Sequence, residues 1–153
     1  MRKLAQGFTL IELLVVISII GLLATLVMAN LNSARSRARD AQRKSDIKSI
    51  STAIKLYQND QTSGDAPATS DDIPWTAQWK NSTTGDVYMN VVPQDPLSGQ
   101  IYYYKRTPGQ TDSYVLSACL ENGSDTGPST ASVTAANFGN NTCSSGRVFT
   151  VSP

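Results

Sequence analysis

The chain has 153 residues, 40% of them hydrophobic and 16% charged, with a formal net charge of +1, which argues against wholesale disorder and against a nucleic-acid binder that works by net charge alone. Histidine is absent, and this excludes the Ser-His-Asp triad, Cys-His nucleophiles, His-ligated zinc and an imidazole pH switch. Two cysteines, Cys119 and Cys143, are too few for a four-thiolate zinc site.

Along the chain the averages separate into three regions. Residues 8–34 carry a single ionisable side chain, Glu12. Residues 35–58 hold seven basic side chains (Arg35, Arg37, Arg39, Arg43, Lys44, Lys48, Lys55) against Asp40 and Asp46, a net +5. Beyond Gln58 there are four basic and nine acidic side chains, a net −5. The uncharged stretch 13–34 is 22 residues long, enough for a helix to cross about 30 Å of hydrocarbon. A globular helix of that length would interleave charges on its solvent face, so a membrane-inserted segment is expected.

Ahead of the span stands the short basic leader Met1-Arg2-Lys3-Leu4-Ala5-Gln6-Gly7, then Phe8-Thr9-Leu10-Ile11-Glu12. The run Gly7-Phe8-Thr9-Leu10-Ile11-Glu12 before an apolar helix resembles the type IV pilins and the type II secretion pseudopilins. That resemblance implies that a prepilin peptidase removes residues 1–7 by cutting between Gly7 and Phe8, that the new amino terminus on Phe8 is methylated, and that the span is retained. A secretory signal cut after Val27-Met28-Ala29 is the competing reading. It fits less well with an apolar core running from Leu13 and a carboxylate at its entrance. The two readings give different mature termini, Phe8 and Asn30.

Glu12 carries a physical argument of its own. A carboxylate in a membrane helix costs a few kcal/mol and marks a partner or a function. Cleavage after Gly7 creates a cationic amine on Phe8, one helical turn from Glu12. In low dielectric Glu12 would attract the Phe8 amine of its own or of a neighbouring chain and so set axial register; the resemblance assigns it that assembly role. A glutamate merely snorkelling to water is the alternative. Orientation is in conflict: the positive-inside rule reads the cluster 35–48 as cytoplasmic, whereas the resemblance places the C-terminal region outside. Long C-terminal domains translocate regardless of charge, and the cysteine pair suits an oxidising exterior.

Helix is expected from Phe8 to about Gln58, roughly 75 Å at 1.5 Å per residue. Gly21, Thr25, Ala29 and Ser33 recur every four residues, a small-residue pattern that lets helices approach closely, and Ala34, Ala38, Ala41 and Ser45 continue a strip of small residues. Ile47, Ile50 and Ile54 are expected to pack onto the C-terminal region. Many family members carry a proline where this chain has Ala29. The basic stretch 35–55 reads as a solvated helix face, pairing with Asp40, Asp46 or the acidic heads of neighbours; phosphates of DNA or lipid headgroups are the alternative partners. Contacts between opposite charges on neighbouring subunits would loosen as salt rises.

Residues 59–86 read as loop-rich, with Trp75 and Trp79 spaced to seat a short helix. Strands are expected over 87–92, 100–105, 113–119 and 147–151, separated by the turns Asp95-Pro96-Leu97-Ser98-Gly99 and Pro108-Gly109. Pro93, Asp95, Pro96, Gly99, Tyr102 and Tyr104 are similar to the proline-aspartate-proline turn and tyrosine-rich strand of the major pseudopilins, more loosely than at the N-terminus. The family's loop after the next strand binds calcium, which makes Glu121 and Asp125 candidate ligands here; plain turns explain the same residues. Cys119 and Cys143, 24 residues apart, are expected to form one disulfide, with two buried thiols as the alternative.

The expected fold is α+β: a leader (1–7), a hydrophobic assembly helix (8–34), an amphipathic continuation (35–58) and an extracytoplasmic head with a small antiparallel sheet (59–153). The expected function is that of a non-enzymatic filament subunit, made with prepilin peptidase and the family's assembly platform and ATPase. A minor pilin or a secretion pseudopilin priming a short fibre, or an adhesin or DNA-uptake pilin acting as a binding module, is the alternative. No cofactor other than the calcium is implied.

Overall fold

The computed structural model describes residues 8–127, 129–132, 143 and 145–153. One helix, α1, runs over Leu10–Asp60, a stretch with no proline and only Gly21 as a breaker. It begins two residues later than expected because Thr9 caps it. The Thr9 N–H and hydroxyl both donate to Glu12 Oε2 at 2.8 Å, and the Glu12 N–H returns a bond to Thr9 Oγ1 at 3.3 Å. This is a reciprocal capping box. Past Asp60 the chain turns at Gly64, whose φ of 71° is one that glycine adopts without cost.

The chain divides into two compact units, Met1–Ser36 and Arg37–Pro153. In the first, the helix presents apolar side chains such as Leu10, Ile17, Leu22 and Met28 to its surroundings. By length and composition it is able to cross a membrane.

Among its described residues the second unit contains a 3₁₀ turn at Ser70–Asp72 and six strands: β1 (Trp79–Lys80), β2 (Val87–Met89), β3 (Tyr103–Arg106), β4 (Tyr114–Cys119), β5 (Thr130–Ser132) and β6 (Arg147–Val151). β1 and β2 pair as an antiparallel ribbon, with Trp79 opposite Met89. The other four form an antiparallel sheet in the order β3-β4-β6-β5. Register is set by Tyr104 opposite Leu116, Ala118 opposite Phe149 and Ala131 opposite Val148.

The core lies between the sheet and α1. Ile47, Ile50 and Ile54 are fully buried in one cluster with Tyr104, Tyr114, Leu116, Ala118 and Phe149. Each such aliphatic side chain contributes about 1.5–3 kcal/mol on burial. The buried tyrosines need partners for their hydroxyls, and α1 supplies two: Asp46 Oδ2 accepts from Tyr102 at 2.7 Å, and the Ser51 hydroxyl pairs with that of Tyr114 at 2.8 Å. Tyr104 donates to the Pro67 carbonyl at 2.7 Å. Burial pushes the Tyr102 phenol well above its usual range, with the Asp46 bond adding to the shift.

Several expectations differ from the structure, among them the strand expected over 87–92, which ends at Met89. Trp75 and Trp79 do not seat a helix. Pro74 lacks an N–H, Thr76 sits at φ 66°, Trp75 bridges to Val92 and Trp79 enters β1, where its ring lies 5.4 Å from Tyr57 and 5.7 Å from Tyr88. The strand expected from 100 begins only at Tyr103, because β4 offers partners only to 103–106. Residues 130–132, outside the strands expected from the sequence, form β5 by pairing with β6.

Cys119 closes on Cys143 as a disulfide, at the end of β4 and just ahead of β6. Removing it with Cys119→Ser/Cys143→Ser lowers stability by about 2–5 kcal/mol, read as a lower midpoint in denaturant for the full chain in detergent. Native protein gains two protons in intact mass on reduction.

Candidate functional site

Two places carry chemistry: the helix start and a buried ionic cluster at the base of the head. At the helix start, Glu12 is turned back onto Thr9 as described above. Thr9 was not singled out in the sequence, although the spacing Thr9-Leu-Ile-Glu12 is the capping-box signature. Phe8, on which the cleaved amine would be borne, precedes the cap and is 88% exposed. Gly7 lies outside the described residues. Of the small-residue set, a Cβ on Gly21 would meet nothing within 4 Å, leaving that face open to a second helix. The Thr25 hydroxyl folds back on the Leu22 carbonyl at 2.8 Å, which removes its need for an outside partner. The Ala29 side chain is outside the described set.

The ionic cluster centres on Arg43, whose side chain is 1% exposed. Its Nε and Nη2 donate to Asp95 Oδ2 and Oδ1 at 2.7 and 2.8 Å, a two-pronged contact. Its Nη1 reaches Asp40 Oδ1 at 2.8 Å and Glu121 Oε1 at 2.7 Å. Arg39 holds the same Glu121 by Nε at 2.7 Å and Nη2 at 2.6 Å. Asp40 in turn accepts the N–H groups of Glu121 and Asn122 at 2.8 and 2.9 Å, and Asp95 Oδ1 accepts from Leu97 N–H at 2.8 Å. One turn of α1 therefore grips both the Asp95-Pro96-Leu97 turn and the loop after β4. Burial disfavours the Arg43 charge, but the bonds to Asp95, Glu121 and Asp40 outweigh it and raise the pKa. The Arg39 hydrogen bond leads in holding Glu121 down at about 2, with Arg43 assisting against burial.

The expectation of a solvated basic face is corrected here for Arg43. Position 43 continues the spacing of Ile47, Ile50 and Ile54, so it lies on the buried stripe, a signal readable in the sequence. Asp40 does pair with Arg43, whereas Asp46 takes Tyr102 and Gln42 instead. Arg35, Arg37 and Lys55 form no ion pair with any described residue.

Glu121 and Asp125 serve different cations. Asp125 Oδ2 accepts from Lys44 Nζ at 2.5 Å and its Oδ1 from Gly127 N–H at 3.0 Å; the Lys44 bond is the main cause of its lowered pKa. A Cβ at Gly127 would come within 3.2 Å of that carboxylate and 3.7 Å of the ammonium. The oxygens of both residues are thus engaged by cations and backbone N–H groups of this chain. No group of three metal-binding side chains is present among the described residues.

Two outcomes follow from the cluster. Arg43→Met leaves Asp95 and Asp40 buried without a counter-charge and costs about 3–5 kcal/mol in chemical denaturation. Because the folded pKa of Glu121 is depressed, its contribution is complete above the ordinary value of 4.5 and lost as pH falls toward about 2. Glu121→Gln flattens the melting temperature against pH across that window.

The sequence comparisons agree with this architecture. Residues 2–28 match the prokaryotic N-terminal methylation motif, and residues 28–136 match the model for type II secretion system protein G. The type II secretion system core protein G of Pseudomonas aeruginosa is 33% identical over 136 residues, covering 81% of this chain and 92% of the relative. That of Klebsiella michiganensis is 34% identical over 116 residues, covering 71% and 78%. The type IV major pilin PilA of Myxococcus xanthus is 38% identical over 52 residues, 34% of this chain and 24% of that pilin. No solved structure matches. The chain belongs to the type II secretion system protein G family and is a structural subunit of a filament.

Proposed function

We propose that this chain is the repeating subunit of a secretion pseudopilus. It would enter the membrane as a precursor, be cut between Gly7 and Phe8 by a prepilin peptidase, be methylated on Phe8, and polymerise through its N-terminal helix with its head outside the cytoplasm. The observation that carries this reading is the extent of the match: core protein G relatives align over most of both chains, with the methylation motif over the leader and first helix. The pilin match covers a third of this chain and favours a surface pilus less.

In this reading α1 is divided by task. Residues 8–34 meet lipid before assembly and other helices after it, with Gly21, Thr25 and Ala29 toward the packing seam. Residues 35–58 carry the head of 59–153. Glu12 holds the cap of its own helix until the Phe8 amine of a neighbour competes for the carboxylate, an attraction strong in low dielectric. The subunit does no catalysis. Its partners are the peptidase, other copies, the membrane and the assembly platform with its ATPase; neither a cofactor nor nucleic acid is assigned.

Intact mass of the mature chain is expected to show a methylated Phe8 start, and a start at Asn30 would refute the processing. Glu12→Val is expected to leave cleavage intact and to reduce sheared fibres by more than about tenfold, as loss of a strong charge pairing requires. Fibres at the wild-type level would remove the assembly role of Glu12. Deletion of the gene is expected to leave surface pili in place and to stop release of an exported protein.

A further inference from the structure

The head carries a groove of about 430 Å³ lined by Asp71, Trp75, Ile101, Tyr102 and Tyr103 among others. Ile101 is 60% exposed at its rim. Asp71 is exposed and makes no bond to any described residue. The Trp75 and Tyr102 rings stand 6.4 Å apart. A free carboxylate beside aromatic faces is a receptor for a guanidinium, which pairs with the acid and stacks on the ring.

The chain itself presents such a group. Arg37 is exposed and has no partner among the described residues. It cannot serve its own groove. The groove wall is tied to α1 at Asp46 through Tyr102 and at Arg43 through Asp95. Arg37 and Asp46 are nine residues apart, which at about 100° per residue puts them on opposite sides of the helix. Lys44, Lys48 and Lys55 return to the Arg37 side by the same geometry; Lys44 and Lys48 there are engaged by Asp125 and the Phe149 ring, whereas Arg37 has no partner among the described residues, and the opposite side leads to the groove. Two different, complementary patches make a heterologous contact, which propagates into an open fibre when its rotation does not close a ring.

We propose that Arg37 of one copy docks in the Asp71–Trp75–Ile101 groove of the next, as the head-level contact of the filament. The inference rests on the filament reading above. It also sets a stagger. The groove lies level with residues 43–46, six to nine residues beyond Arg37, so contacting copies are offset along the helix axis by about 9–14 Å.

The test uses the full chain in cells with its own assembly machinery. Arg37→Glu and Asp71→Arg each place like charges in the contact and are expected to lower the sheared-fibre fraction by about tenfold or more. The double variant restores fibres. Disulfide formation and melting temperature of each variant report folding. As a second measurement, Arg37→Cys and Ile101→Cys in one chain cross-link between copies in assembled fibres. Single variants that assemble normally, or a folded double variant that stays defective without the cross-link, overturn the docking. If Asp71→Arg spares fibres but blocks release of an exported protein, the groove belongs to cargo and the proposal falls. Absence of fibres from the wild type would instead sink the filament reading itself.

Discussion

The position of the Arg43 guanidinium governs the rest of the head. It is taken out of water among Asp40, Asp95 and Glu121, and a buried cation is tolerable only when counter-charges and hydrogen bonds replace the lost water. Meeting them fixes where the Asp95 turn and the loop after β4 cross the helix, because a planar fork accepts a carboxylate over a narrow range of directions. Apolar side chains of similar volume in place of the whole set, Arg43 together with its carboxylates, would supply comparable net stability but no such direction. The cluster thus specifies the docking of two irregular segments that offer little else for the helix to recognise.

Around that point the attachments differ in kind. Isoleucines give the helix an apolar seat on the sheet, tyrosine hydroxyls fix its rotation through Asp46 and Ser51, and the disulfide closes the far side of the loop. Lys44 on Asp125 tightens the same loop from the helix. A head with a modest core is in this way held at several spots by directional contacts.

Much of this was legible in the sequence, and the failures have physical causes. The long helix followed from the absence of breakers and from apolar spacing, and the disulfide from two cysteines in a polar C-terminal region. Glu12 stood out because a lone carboxylate in an apolar run demands a reason. Arg43 was misplaced because charge was weighed above periodicity, though its spacing from Ile47 marked it as inward. Trp75 and Trp79 showed helical spacing, yet Thr76 between them takes a left-handed φ of 66° and Trp79 pairs into β1. β5 was hidden because Thr130, Ala131 and Ser132 have little strand character of their own; a neighbouring strand makes them one. The pairing of Glu121 with Arg39, 82 residues away, has no local signature at all.

The order of the larger sheet, β3-β4-β6-β5, puts the strand synthesised last among the six in its interior. β4 keeps an open edge until β6 arrives, and β5 has nothing to pair with before then. Closing such non-local pairings is slow and waits for the whole segment. Completion of the head's sheet consequently waits for residues 147–151, which supply the one strand that both β4 and β5 pair with.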